Sequence, residues 1–223
     1  MQRANVTSAA SRVPAASART RPIPRDRARG FTLIELAVTL TVFALLMAAV
    51  APMAGAWVAN MQIRSTAEAL QMGLQKARME AVRRNRTVQF SLISLTDPTV
   101  VDNSCALASN AASWVVSFND PTGKCGDALS DLVDPMNIET YASGAPGRRV
   151  TVNAVQSDGV TAASAVTFDG FGRVAGAGSI AQIDVDSNTP GNDYRPLRLV
   201  INTGGAIRMC EPRVTDANDP RFC

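Results

Sequence analysis

The sequence contains no histidine among its 223 residues, which excludes His-based catalytic triads and His-ligated metal sites. It also has no Cys-x-x-Cys pair, which argues against zinc as the reason for its four cysteines. No glycine-rich motif is followed by lysine at the spacing of a phosphate-binding loop. We therefore expect a protein that is not an enzyme and that needs no cofactor and no metal.

Charge is absent from a long stretch near the N-terminus: the 28 residues from Leu36 to Ile63 include no Asp, Glu, Lys or Arg. An α-helix needs about 20 apolar residues to cross a bilayer, so this stretch predicts one membrane span. The first 30 residues carry seven arginines and one acid, and their Ala, Ser and Pro content predicts disorder. Arginines before the span predict a cytoplasmic N-terminus and an exported remainder.

Three interpretations of this N-terminus compete. The first is a signal anchor that is never cleaved, and the second is a secretory signal peptide with an Ala-x-Ala site at 54–56. The third is a specialised signal that is cut before its apolar run. Glu35 favours the third, because a carboxylate in an apolar span costs roughly 2.5–3.5 kcal/mol at the bilayer centre and less near the interface. Cleavage after Gly30 would supply a compensating cation, the α-amino group of Phe31 on this chain or on a neighbouring copy.

These residues resemble the type IV prepilin signal. The match consists of Gly30, Phe31, Thr32, Leu33 and Glu35. The resemblance implies that a prepilin peptidase cuts after Gly30 and that Phe31 is then methylated. It also implies that Glu35 mediates assembly and that Pro52 bends the membrane helix.

Removal of the leader changes the charge of the chain. The loss of seven arginines and one acid converts the net charge from +3 to −3. The part of the chain that follows Arg86 is acidic overall, which argues against nucleic-acid binding through net charge.

Apolar residues beyond the span recur at helical spacing. They are Ile63, Ala67, Leu70, Leu74, Ala77 and Ala81. This stripe predicts an amphipathic helix that packs on a sheet. The basic cluster 83–86 then ends the helix, where cations interact favourably with the helix dipole.

From Thr87 the apolar period changes to two, which predicts strands. The first begins near Val88, and further candidates are Ser113 to Phe118, Arg149 to Val155, Ala165 to Phe168, Ile180 to Val185, Leu197 to Ile201 and Ala206 to Met209. We expect an α+β fold in which a long N-terminal helix packs on antiparallel sheet. Its parts are a leader (1–30), a transmembrane half-helix (31–59), an amphipathic half-helix (60–86) and a β-rich domain (87–223).

The four cysteines of the exported domain suggest two disulfides, for which three connectivities exist. The sequential pairing, Cys105 to Cys125 and Cys210 to Cys223, would close two short loops. The second loop would hold the polar C-terminal tail in place.

Two stretches resemble the GspH/FimT family of minor pilins and pseudopilins: Phe168 to Val174, with its Phe-Asp-x-x-Gly-Arg pattern, and the hairpin Leu199 to Arg208. The resemblance implies a pilin-like fold and a minor type IV pilin that primes or caps pilus assembly. The alternative is a minor pseudopilin of type II secretion.

Implied partners are the prepilin peptidase, the major pilin, other minor pilins and an inner-membrane assembly platform. The implied location is the inner membrane, crossed once, with the globular domain in the periplasm.

A DNA-binding minor pilin is a further alternative. That role resembles a Gly-Arg-x-Arg hairpin, but residues 205–208 read Gly-Ala-Ile-Arg and lack one arginine. The candidate contacts are Arg208, Arg213 and Arg221, which alternate with acids. We expect weak, salt-dependent DNA affinity at most.

Overall fold

The computed structural model describes residues 30–144, 149–189 and 191–223, without the side chains of residues 49–54. The chain divides into two compact units, Met1–Leu46 and Met47–Cys223. The described elements are α1 (Leu33–Arg84), β1 (Val88–Ser94), β2 (Ala106–Leu107), β3 (Ser113–Ser117), β4 (Asn137–Tyr141), β5 (Val150–Val155), β6 (Ala165–Phe168), β7 (Val174–Ala175), β8 (Gln182–Ser187), β9 (Leu197–Ile201) and β10 (Ile207–Cys210). Residues 1–29 of the predicted leader lie outside the described residues, and the predicted bend at Pro52 stays a prediction.

Within the part of the chain that the structure describes, no helix combines the length and the apolar character that a membrane crossing requires. The assignment of residues 31–59 to a transmembrane half-helix stays a prediction.

The C-terminal part of α1 packs its predicted stripe into the core. All six stripe residues are fully buried: Ile63, Ala67, Leu70, Leu74, Ala77 and Ala81. Gly73 lies on the same buried surface, where a β-carbon would come within 2.7 Å of the rings of Phe90 and Trp114. Small residues therefore let the helix approach the aromatic side chains of the strands, and the predicted packing on a sheet is confirmed.

The helix ends at Arg84, within the predicted basic cluster. Asn85 adopts a left-handed conformation with φ of 48°. Its amide donates to the Val82 carbonyl at 3.3 Å, and the Arg86 amide donates to the Ala81 carbonyl at 3.2 Å. This pair of bonds is the Schellman motif, with asparagine in the position that glycine usually occupies.

The strands form two antiparallel sheets over one core. The first has the order β4-β3-β1-β6-β7, with β2 also paired to β1, and the second has the order β10-β9-β8-β5. Phe90 and Phe168 of the first sheet, Ile183 and Leu199 of the second and Leu70 of α1 all belong to the same buried cluster. The predicted α+β fold is confirmed.

Every predicted strand occurs, with ends shifted by at most two residues. The strands that the sequence did not predict are β2, β4 and β7. Two of them are only two residues long, and β4 carries Asn, Glu and Thr at three of its five positions, so it has little apolar alternation. It is held by pairing with β3, a tertiary contact that leaves no local signal.

The described chain contains two disulfides and no free cysteine. Cys105 bonds to Cys125 and Cys210 bonds to Cys223, with Cα–Cα distances of 6.2 and 5.2 Å. This is the sequential pairing. Near the second disulfide, the Glu211 amide donates to the Arg221 carbonyl at 2.8 Å, so the tail folds back beside β10.

Replacing both Cys210 and Cys223 with serine is expected to release this tail. A closed loop of about 15 residues contributes about 3 kcal/mol in the chain-entropy model, more than the remaining exposed hydrogen bonds supply. Trypsin should then cut after Arg213 and Arg221 much faster than in the parent protein. The matched control replaces Cys105 and Cys125 with serine and should leave the tail protected. Equal cleavage of both variants and the parent would contradict the prediction.

Candidate processing and assembly sites

The first turn of α1 begins at a capping residue. The Glu35 amide donates to Thr32 Oγ1 at 3.2 Å, and the Leu36 amide donates to the Thr32 carbonyl at 3.1 Å. Thr32 is therefore the N-cap, and Glu35 is the third helical residue, where a carboxylate is favourable beside the positive end of the helix dipole. Sequence reasoning missed this role, although Thr-x-x-Glu before an apolar run is its signal.

The residues at the predicted cleavage point are accessible. Phe31 is 86% exposed, and a β-carbon at Gly30 would meet no atom within 4 Å. Glu35 is also exposed, and its carboxylate forms no ion pair with the described residues. The chain thus presents an open Gly-Phe bond followed, within one helical turn, by an accessible carboxylate. Such an arrangement suits proteolysis followed by pairing with a cation on another molecule.

The turn between β6 and β7 is organised by Asp169. Its Oδ1 accepts hydrogen bonds from the amides of Phe171 and Arg173, both at 2.9 Å, and its Oδ2 lies 3.0 Å from an Arg173 terminal nitrogen. The Arg173 amide is the main group that lowers the pKa of Asp169, and the Phe171 amide and the Arg173 guanidinium add to it. The Phe-Asp-x-x-Gly-Arg pattern therefore builds a turn that needs no ligand.

This turn also joins α1 to both sheets. Arg78 Nε donates to the Gly172 carbonyl at 3.1 Å, and the Val174 amide donates to the Thr203 carbonyl in the β9–β10 turn at 3.1 Å. Gly205 packs so closely that a β-carbon there would overlap the Gly172 carbonyl oxygen. We call this arrangement, formed by Arg78, Gly172 and Gly205, the hairpin junction.

The basic cluster at the end of α1 is organised by Glu80, a nearly buried carboxylate. Its Oε2 lies 2.6 Å from an Arg83 terminal nitrogen and 2.8 Å from Arg84 Nε. Arg84 also forms an ion pair with Asp131, in which a terminal guanidinium nitrogen lies 2.6 Å from Asp131 Oδ1. The guanidinium groups of Arg84 and Arg86 both lie over the Phe118 ring. These contacts stabilise the helix end, as sequence reasoning favoured over nucleic-acid binding.

Replacing Glu80 with glutamine is expected to lower the free energy of unfolding by about 1.5–3 kcal/mol at pH 7, the usual worth of hydrogen bonds to charged groups. Burial acts to raise the pKa of Glu80, but hydrogen bonds from Arg83 and Arg84 lower it overall. The stabilisation is therefore present above the ordinary carboxyl pKa of about 4.3 and is lost as the pH falls below it. Urea unfolding of the parent protein and the variant at pH 7 and pH 3.5 measures the difference in the free energy of unfolding and its dependence on pH.

The control for that variant is Glu68→Gln, which removes an exposed pair with Arg64. It should cost less than about 1 kcal/mol. A cost for Glu80→Gln that equals the control at pH 7, or that grows on acidification, would contradict the assigned role of Glu80.

The three arginines that sequence reasoning named for DNA already have intramolecular partners. Arg208 donates to the Cys223 carbonyl at 3.0 Å, and Arg213 donates to the Tyr194 carbonyl at 2.8 Å. Arg221 lies 2.7 Å from Asp219 and 3.5 Å from Glu211. The structure uses these arginines to hold the C-terminal tail, and their role in DNA binding stays an untested prediction.

The described residues offer no obvious place for a metal ion. Among them no group of three or more Cys, Asp or Glu side chains converges as a metal site requires. Asp184 of β8 pairs with Arg198 on the neighbouring strand β9 at 2.6 Å.

Comparison with known proteins gives two matches to families. Residues 66–205 match the family described as type II transport protein GspH, and residues 25–51 match the prokaryotic N-terminal methylation motif. The prepilin peptidase-dependent protein A of Clostridium perfringens (strain 13 / Type A) is 30% identical over 135 residues, which cover 59% of this chain and 88% of that protein.

Solved structures of the type IV minor pilin FimU of Pseudomonas aeruginosa (strain PAO1) are also similar. One crystal form is 17% identical with a TM-score of 0.38, covering 67% of this chain and 97% of FimU. A second form is 18% identical with a TM-score of 0.39, covering 68% and 92%.

Proposed function

Because the chain belongs to the GspH family and carries the N-terminal methylation motif, we propose that it is a minor type IV pilin that takes part in priming or capping pilus assembly. The observation that carries the proposal is the order of the two matches: the methylation motif comes first, and the GspH region follows it in the same chain. Members of this family are structural proteins rather than enzymes. Their chemistry is that of processing and assembly.

The processing step follows from the start of the chain. The methylation motif implies a prepilin peptidase and pilin partners, and family membership suggests a membrane-anchored protein with a periplasmic domain. We propose cleavage between Gly30 and Phe31, followed by methylation of the new Phe31 amine. The exposure of both residues supports this proposal, since a peptidase needs an open peptide bond.

The assembly step uses Glu35. In apolar surroundings an unpaired carboxylate is costly, so its pairing with the terminal amine of a neighbouring subunit would fix the register of packing. The same carboxylate lies in the first helical turn, one residue after Ile34, so the helix itself presents it beside the new N-terminus. The proposed location is the inner membrane, from which the subunit moves into the pilus together with the major pilin and other minor pilins on the assembly platform.

A second candidate is a minor pseudopilin of type II secretion, which the description of the matching family as a type II transport protein favours. It shares the processing and the Glu35 chemistry. Deleting the gene distinguishes the two: loss of surface pili with normal export of folded proteins indicates the pilin, and the reverse indicates the pseudopilin.

The experiment that tests the proposal is mass spectrometry of the N-terminal peptide of the natively expressed protein. We expect it to begin at N-methylated Phe31. An intact leader, or a start after Ala56, would overturn both the pilin and the pseudopilin assignments.

A further inference from the structure

A surface cleft of about 200 Å³ lies between α1 and the start of β9. Trp57, Met61 and Arg64 line its helix side, and Arg195 and Leu197 line the opposite side. The three helix residues are spaced four and three apart, so they share one face of the helix. Trp57 is 66% exposed, Met61 is 52% exposed and the side chain of Arg64 is 72% exposed. The helix therefore presents an apolar surface that ends in a cation.

Two polar residues of α1 hold arginine-bearing loops beside this face. Asn60 Oδ1 accepts a hydrogen bond from the Arg195 amide at 2.8 Å, and Asn60 Nδ2 donates to the Asp193 carbonyl at 3.0 Å. Gln62 Oε1 accepts a hydrogen bond from the Arg149 amide at 3.1 Å. Both arginines are exposed. Their backbones are thus fixed to the helix, while their side chains lie at the surface.

The guanidinium groups of Arg195 and Arg149 have no hydrogen-bond or ion-pair partner within the described part of the chain. The carboxylates near the cleft do not neutralise Arg195. Glu211, which also lines the cleft, lies 3.5 Å from Arg221, and Asp193 forms no ion pair with the described residues. Arg195 therefore offers an unused set of donors next to exposed apolar side chains, and an anion with an apolar portion is the ligand that suits it.

The cleft follows the part of the chain that would cross the membrane. As a helix, the 28 uncharged residues from Leu36 to Ile63 extend about 42 Å, and a bilayer with its headgroup layers is about 40–45 Å thick. Arg64 is the first charged residue after this stretch, and Trp57 precedes it by about two helical turns. In the membrane-anchored state, the cleft is therefore level with the lipid headgroups on the exported side. Trp is enriched at that level, and arginine side chains extend to it.

We infer that this cleft binds an anionic phospholipid of the leaflet that faces the periplasm. Arg195 and Arg64 bind the lipid phosphate, and Trp57 and Met61 lie against the glycerol and the upper acyl chain. Arg149, on the other side of the helix, contacts a second headgroup. Lipid is the occupant because every anchored copy meets headgroups at this level before it meets a partner. The inference rests on the proposed function, since it requires a membrane-anchored chain, and it gives the domain a fixed position on the membrane before assembly.

Fluorescence quenching of the full-length chain by brominated lipids tests the site. The sequence has two tryptophans, and because Trp114 is buried in the domain core, quenching by lipid reports on Trp57. The chain is reconstituted in phosphatidylcholine vesicles that contain the same small fraction of either brominated phosphatidylglycerol or brominated phosphatidylcholine. An arginine near an anionic lipid surface contributes a preference of roughly fivefold. We expect phosphatidylglycerol to bind beside Trp57 at least threefold more strongly than phosphatidylcholine, and Trp57→Phe to abolish quenching by both lipids.

Two double variants separate the site from net charge. Arg64→Gln combined with Arg195→Gln should reduce the preference for phosphatidylglycerol to about one, while quenching by phosphatidylcholine stays as in the parent chain. The matched control combines Arg83→Gln with Arg86→Gln, which removes the same charge roughly 28 Å further along the helix direction. The control should retain the parent's preference. Equal loss of preference in both double variants would overturn the inference, because net charge would then explain the result.

The outcomes for the parent chain distinguish this inference from the proposed function. Equal quenching by the two lipids would overturn the lipid site alone, because the chain would still be inserted, and the cleft would then be a contact surface for a neighbouring subunit. Absence of quenching by either lipid would also overturn the site. Only an unprocessed N-terminus in the natively expressed protein would overturn the proposed function as well.

Discussion

Replacing Gly205 with alanine is expected to destabilise the domain by about 3 kcal/mol or more, the largest effect that we predict for a single methyl group. Gly205 has a φ of 78°, a region that costs other residues about 1–2 kcal/mol. The added β-carbon would also overlap the Gly172 carbonyl oxygen, and overpacking of this kind costs typically 1–3 kcal/mol more. Urea unfolding of the purified protein measures the sum.

The expected mechanism is the opening of the hairpin junction. The Gly172 carbonyl cannot move away without breaking other contacts, because it accepts the Arg78 hydrogen bond. The adjoining strand β7 is also hydrogen-bonded to the β9–β10 turn. Separation of the two turns would therefore weaken the attachment of both sheets to α1. We expect loss of stability without a change in the slope of the unfolding transition, since the unfolded chain exposes the same surface.

Gly204 provides the matched control for this variant. A β-carbon there would meet only Asn202 Oδ1, at an ordinary 3.4 Å, and its backbone is outside the left-handed region. Gly204→Ala is expected to change stability by less than about 1 kcal/mol in either direction. Similar costs at the two positions would show that turn flexibility, rather than the close contact with Gly172, determines the effect.

The sequence predicted the core of this fold because local patterns carry it. The stripe from Ile63 to Ala81 repeats at helical spacing, and all of its members are buried. The strands with alternating or continuous apolar residues were found for the same reason. By contrast, β4 is defined by its pairing with β3, and the arrangement into two sheets depends on contacts between distant segments. Single-sequence periodicity contains no information on such contacts.

The candidate sites divide in the same way. The prepilin signal is a contiguous motif, so Gly30, Phe31 and Glu35 could be identified from the sequence alone. The two turns of the hairpin junction were visible only as separate sequence motifs, because the contact of Gly172 with Gly205 and Arg78 joins three separate segments.

Replacing Glu35 with glutamine is expected to abolish assembly while leaving cleavage after Gly30 intact. Glutamine is compatible with the third position of a capped helix, so the Thr32 cap should survive, and the loss of the dipole interaction costs only about 0.3–1 kcal/mol. In the proposed assembly, the neighbour's terminal amine would lose its partner in apolar surroundings, which costs about 3–5 kcal/mol for comparable buried pairs. A hundredfold or greater loss of the subunit from sheared pili, measured by immunoblotting, corresponds to the lower end of that range.

The Glu35 variant is informative because the observed position of Glu35 in the first turn of α1 can be separated from its proposed pairing between subunits. Thr32→Val removes the side-chain cap and leaves the carboxylate, and it should reduce assembly far less than Glu35→Gln if the charge acts between subunits. If the two variants lose assembly equally, the carboxylate serves chiefly to start α1, and the register of packing must come from elsewhere. The cap alone is worth about 1 kcal/mol, too little to explain a hundredfold loss. The ratio of the two defects therefore measures how much of the assembly free energy the Glu35 pair contributes.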